Sequence, residues 1–147
     1  MSIRFSTQSI DFELHNEDLL KKWITEVVKR SGKTVGNINY LFCDDSYLIE
    51  VNRRYLNHDT YTDIITFDYV AANLVSGDIM ISVDRVKENA GLFGVAFEFE
   101  LYRVIIHGVL HLLGQGDKTP QEEKEMRHLE ELMLKMLEDM FHVEQCI

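Results

Sequence analysis

The sequence predicts an α+β fold, a small mixed sheet covered by helices. Apolar residues recur at helical spacing in some segments and form short β-branched and aromatic runs in others. The two kinds follow one another as β-α-β-α-β-β-α-α-α, an order that fits a sheet with helices packed on it. The length, 147 residues, and the 46% apolar content are enough to bury one core, so a single domain over residues 1–147 is expected. Pro120 is the only proline, and no stretch reads as a linker or an internal repeat.

Each element has its own signal. Residues 3–7 alternate weakly and are expected to form an edge strand. Asn16 is placed to cap a helix, with Glu17 and Asp18 in its first turn and Leu19, Leu20, Trp23, Val27 and Val28 on its apolar face. Residues 37–43 (NINYLFC) read as a strand, and Asp44-Asp45 cap a helix carrying Tyr47, Leu48, Val51 and Tyr55. Residues 63–70 (DIITFDYV) and 77–83 (GDIMISV) read as strands, with residues 71–76 as the connecting turn. Asp84 is expected to cap a helix with Val86 and Ala90 that ends near Gly91 and Gly94.

Residues 98–113 form the central helix. Val104, Ile105, Ile106, Val109, Leu110, Leu112 and Leu113 leave it apolar almost all round, which means burial. Gly114 stands where a glycine ends a helix. Thr119, Pro120 and Glu122 then supply the N-cap, first and third positions of the last helix, a capping box with proline in its favoured place. Its stripe of Met126, Leu129, Met133, Met136, Leu137 and Met140 reads as core.

The composition excludes several classes. Polar residues break every apolar run near the start, and the longest near-apolar window, residues 104–113, is too short to span a bilayer. A soluble, cytoplasmic protein without a membrane partner is expected. Cys43 and Cys146 are far apart and form no CxxC, so both read as ordinary thiols. A formal net charge of −10 counts against indiscriminate nucleic-acid binding, and DNA is not an expected partner. A local basic groove remains compatible with that charge.

The chemistry concentrates in residues 107–117, HGVLHLLGQGD. His107 and His111 are four apart on the central helix, so both imidazoles project from one face and can reach one ion. That face continues back through Arg103 to Glu100, a polar stripe on an otherwise apolar helix. Unpartnered buried polar groups cost roughly 1–3 kcal/mol each, so the stripe calls for partners. Gly114 and Gly116 let the chain turn, and Asp117 can swing back towards the histidines. Two imidazoles and a carboxylate are a ligand set for catalytic zinc, with a fourth position left for water. His107, His111 and Asp117 are therefore the candidate metal ligands and catalytic residues. The bland alternative for Asp117 is a cap on the turn into the last helix. The metallopeptidase motif HExxH places its glutamate base directly after the first histidine, and here that position is Gly108.

Residues 107–114 match the first eight positions of HGxLHLxGxDH, and the segment resembles the YbeY-type rRNA maturation endoribonucleases. Thr62 to Phe67 (TDIITF) is similar to that family's TDVLSF strand, Gly77 to Ile81 (GDIMI) to its GDIxI strand, and Val51-Asn52 to its LN dipeptide. The resemblance implies a mixed four-stranded sheet with about five helices and a zinc ion. It implies metal-dependent hydrolysis of single-stranded RNA, in 16S rRNA 3′-end maturation and ribosome quality control, with rRNA and ribosomal components as partners. Two positions depart from the pattern. The family's third ligand is usually a histidine, where this chain has Asp117, and its usual arginine after the aromatic that follows Leu-Asn is here Leu56.

Arg53, Arg54, Asp78 and Arg103 are further candidates for substrate contact. Arg53 and Arg54 are either a solvated helix face or phosphate contacts that replace the arginine missing at Leu56. Asp78 is either a turn residue or a polar group facing the groove, and Asp63 shares that ambiguity. Arg103 either pairs with Glu100 or meets substrate. His15, His128 and His142 lack ligand-like spacing and read as surface residues. Two rivals to the ribonuclease stand beside it: a peptidase-like hydrolase using another base, and a non-catalytic ribosome-assembly factor with a structural metal.

Overall fold

The computed structural model describes residues 2–58 and 61–145; Cys146, expected to be an ordinary thiol, lies outside them. The elements follow the expected order: β1 Ser2–Thr7, α1 Glu17–Arg30, β2 Thr34–Cys43, α2 Asp45–Leu56, β3 Ile64–Asp68, β4 Leu74–Ser82, α3 Val83–Phe93, α4 Phe97–Leu112 and α5 Pro120–Gln145.

The four strands form one sheet in the order β1-β2-β4-β3. β1 and β4 both run parallel to β2, while β3 pairs antiparallel with β4, so the sheet is mixed and β1 and β3 are its edges. The hairpin between β3 and β4 is tighter than the sequence suggests. Ala71 and Leu74 exchange both backbone hydrogen bonds, and the ladder already includes Leu74, Val75 and Gly77.

Helix starts show which capping signals the chain uses. Asp44 accepts from the Tyr47 N–H at 2.7 Å, and Thr119 and Glu122 form the reciprocal capping box at 3.1 and 3.2 Å. Asn16 holds the N-cap position of α1 in a left-handed conformation, but its amide donates to the Tyr102 hydroxyl at 3.4 Å instead of capping the helix. Ser82, not Asp84, caps α3, because β4 runs directly into the helix; Asp84 sits in the first turn and accepts from the Asp45 N–H.

Alternation along the strands sends Ile38, Tyr40, Phe42, Val75, Ile79 and Ile81 into the main core under α1 and α4. Cys43 and Ile65 point the other way, into a smaller core closed by Leu48 and Val51 of α2. α4 lies between sheet and outer helices and is buried nearly all round, as its apolar C-terminal half requires. Two polar ties hold the layers: Tyr40 donates to the Ile105 carbonyl at 2.9 Å, and the Trp23 indole donates to the Met133 carbonyl of α5 at 2.8 Å. No helix among the described residues is long and apolar enough to cross a membrane.

Candidate metal centre

α4 presents His107 and His111 from successive turns, their rings 4.6 Å apart between centroids and nearly perpendicular. The helix ends directly afterwards. Gly114 takes φ +98°, which a side chain would resist, and the Gln115 N–H returns to the Leu110 carbonyl at 2.9 Å. Gly116 has a different reason to be glycine. A Cβ there would run into the Glu122 side chain, which is closing the capping box of α5.

The reversal brings Asp117 back onto the histidines. One oxygen, Oδ2, stands 3.4 Å from His107 Nε2 and 3.3 Å from His111 Nε2. Both distances exceed those of good hydrogen bonds. They match the separation of about 3.3–3.5 Å between ligands that surround one tetrahedral ion at 2.0–2.2 Å. The donor set therefore fits a metal ion, and all three ligand atoms lie within 4.8 Å of one another. Among the described residues these three alone come together, and a tetrahedral ion held by them would keep a fourth position for water.

The ligands border a pocket of about 270 Å³ lined also by Arg103, Val104 and the start of β3: Thr62, Asp63, Ile64 and Thr66. Asp63 is thus beside the candidate ligands. Burial pushes its carboxyl above the ordinary range, against the opposing pull of Arg103 and His107. Gly108 faces the sheet. A Cβ built there would lie 3.0–3.1 Å from side-chain atoms of Ile79 and Ile64, so a side chain at the position that carries a peptidase's glutamate would press into the sheet rather than face the pocket.

The polar stripe on α4 is partnered within the helix and by Glu130 of α5. Glu100 and Glu130 are buried, at 1% and 4% exposure. Arg103 joins them: its Nε and Nη2 donate to the two oxygens of Glu100 at 2.8 and 2.5 Å, and its Nη1 donates to Glu130 Oε1 at 3.0 Å. The other Glu130 oxygen meets His107 Nδ1 at 2.6 Å. Burial works to raise the Glu130 carboxyl, but the His107 hydrogen bond and the Arg103 charge outweigh it and hold the group below its ordinary value.

Of the remaining sequence candidates, only Arg103 borders this pocket. Asp78 accepts from Asn39 Nδ2 at 3.2 Å, on the sheet face opposite the buried row of Ile79 and Ile81. Arg53 pairs with Glu50 at 3.7 Å on α2, and Arg54 is exposed on the same helix; none of the three lines the pocket. Arg103 borders it, but with its guanidinium held by two carboxylates. Glu130 has no place in the motif-based reading. Its signal was a charge at a core position: with Met126, Met133 and Leu137 it follows the helical spacing of the buried face of α5.

Fold and site together define a class, an α+β protein with two histidines and one carboxylate grouped so that they could hold a metal ion. The profile of the family Endoribonuclease YbeY matches residues 2–138. Endoribonuclease YbeY of Flavobacterium psychrophilum is 51% identical over 136 residues, covering 92% of this chain and 94% of that relative. The Porphyromonas gingivalis protein of the same name is 47% identical over 137 residues, covering 93% and 91%. A solution structure of a Thermotoga maritima protein superposes with a TM-score of 0.67 at 27% identity, covering 97% of this chain and 93% of that one. This chain belongs to the endoribonuclease YbeY family.

Proposed function

We propose that the chain is a zinc-dependent endoribonuclease that cuts single-stranded RNA and serves 16S rRNA 3′-end maturation and ribosome quality control. The observation that carries the reading is the shared Asp117 oxygen, poised between two histidine nitrogens at 3.3–3.4 Å at the wall of a solvent-facing pocket. His107 and His111 would hold the ion through Nε2 and Asp117 through Oδ2. A zinc ion so bound supplies a water with its pKa lowered to about 7 and neutralises charge on the scissile phosphate. Arg103 keeps a fixed positive charge at the pocket wall. Asp63, with its raised carboxyl, is placed to accept or return a proton there. Arg53 and Arg54 would meet the RNA backbone only if the strand passes over the α2 side of the sheet.

Family membership supports RNA as substrate, and the packing of Gly108 speaks against the peptidase alternative. The open fourth position speaks against a purely structural metal. The purified protein should cut single-stranded RNA, lose that activity with chelator, and lose it with His111→Ala. Chelator-sensitive peptide cleavage with RNA left intact under the same conditions would reverse the assignment.

A further inference from the structure

We infer that Glu130 is a positioning residue for the metal centre, one that sets the tautomer and aim of His107 from a different helix. The inference rests on the reading of His107 as a metal ligand and goes beyond it. Imidazole can present either nitrogen, and a ligand that donates through Nε2 must carry its proton on Nδ1. Glu130 Oε2 lies 2.6 Å from Nδ1, so the buried carboxylate accepts that proton's hydrogen bond and leaves the Nε2 lone pair facing Asp117. Carboxylates behind metal-bound histidines do this generally, fixing ring orientation and raising the basicity of the ligand.

The arrangement around Glu130 shows that it is itself held. Its two oxygens are divided between His107 and Arg103, and Arg103 is gripped on its other side by both oxygens of Glu100. The chain Glu100–Arg103–Glu130–His107 thus connects the buried interior of α4 and α5 to the ion site. A merely structural ion pair would need only the Arg103–Glu130 contact. The second oxygen, spent on His107, is what a positioning role requires. The two histidines differ in this respect: among the described residues, no carboxylate is hydrogen-bonded to the ring of His111 from behind, and its contact is Asp117 at 3.3 Å.

Glu130→Gln separates the roles. Its single carbonyl oxygen can serve His107 or Arg103 but not both, and its amide group then faces a donor. Glu100→Gln perturbs the same buried pair without touching His107. Zinc affinity is measured for folded wild type, Glu130→Gln, Glu100→Gln and His111→Ala by competition with a chromophoric chelator. Glu130→Gln should lose roughly 10- to 100-fold in affinity, while Glu100→Gln stays close to wild type even where its metal-free melting temperature falls as far. Glu130→Gln binding zinc as wild type does would overturn the inference. Zinc bound equally by wild type and His111→Ala would instead overturn the metal reading on which it rests. A measurement on wild type alone stands even if Glu130→Gln does not fold. Imidazole nitrogen NMR should show His107 protonated at Nδ1, with Nε2 shifting as zinc is added. A proton on Nε2 in the metal-free protein, or zinc on Nδ1, would refute the positioning role.

Discussion

Asp117 is the residue on which the candidate centre turns, because one of its oxygens faces both histidines after the left-handed turn at Gly114. Asp117→Ala should weaken zinc binding by more than the roughly 10- to 100-fold typical of losing an outer partner, and Asp117→His should retain the metal. If Asp117 only capped the turn, the alanine variant would lose about 0.5–2 kcal/mol of stability with zinc affinity unchanged. Chelator competition alongside thermal melts decides between these. Two nearby carboxyls should respond to pH with opposite sign. Glu130 is held below its unfolded value, so its stabilisation is present above the ordinary glutamate range and disappears as pH falls through the folded value. Metal-free Glu130→Gln should therefore be less stable than wild type by about 3 kcal/mol at neutral pH, with the gap closing in acid. Asp63 is raised, so its contribution is greatest in acid and is lost as pH rises. Asp63→Asn should be more stable than wild type at neutral pH, and that advantage should vanish at low pH. Urea melts in chelator across this range test both signs.

At the scale of elements, α4 can carry a polar site because its remaining faces are apolar and buried. Gly108 lets the helix sit close on β3 and β4, against Ile64 and Ile79. Gly77 repeats the device from the strand side, since a Cβ there would press on Leu112 and on the Phe67 carbonyl. Gly108→Ala gains about 1 kcal/mol of helix propensity but overpacks a filled interface, which costs about 1–3 kcal/mol. A net loss of about 1 kcal/mol is expected. Gly108→Glu, which would create the peptidase motif, should be far worse, because it also buries a carboxylate. Thermal melts of the two variants check the order, and a well-folded glutamate variant would contradict the packing described.

For the whole molecule, metal binding and stability should be linked. Zinc at 100 times its dissociation constant adds about 2.7 kcal/mol, which for a chain of this size raises the melting temperature by roughly 5–10 °C. Wild type should show this rise and His111→Ala should not. The net charge of −10 leaves RNA to be held by a few cations rather than by a broad basic face. With about two or three phosphate contacts, RNA affinity should fall roughly 5- to 20-fold between 50 and 200 mM salt. A steeper slope in a filter-binding titration would point to a larger basic surface.

The order of elements, the burial of α4, the capping box at Thr119 and the histidine pair were all legible in the sequence, because each is a local pattern of period, spacing or turn chemistry. The same local rules misplaced the cap of α3 and lengthened the β3–β4 turn: the tertiary ladder starts β4 three residues earlier, at Leu74, and the strand ends at Ser82, which itself caps the helix. The reversal after His111 could be expected from its glycines, but only the structure put one Asp117 oxygen at equal reach of both rings. Arg103 and Glu100 could be paired from their spacing, three apart on one helix. Glu130 could not be joined to them, because it lies 23 residues from His107 and meets it only when α5 packs on α4. Likewise Asp63 and Asp78 looked alike as acids near strand starts, and the pleat of the sheet separated them. The strand entry puts Asp63 at the pocket, and alternation along β4 turns Asp78 to the other face. Sequence determined which residues could bind a metal, because ligand chemistry and helical spacing are properties of the chain. Tertiary packing decided which buried charges meet those side chains, because that depends on contacts between elements far apart in sequence.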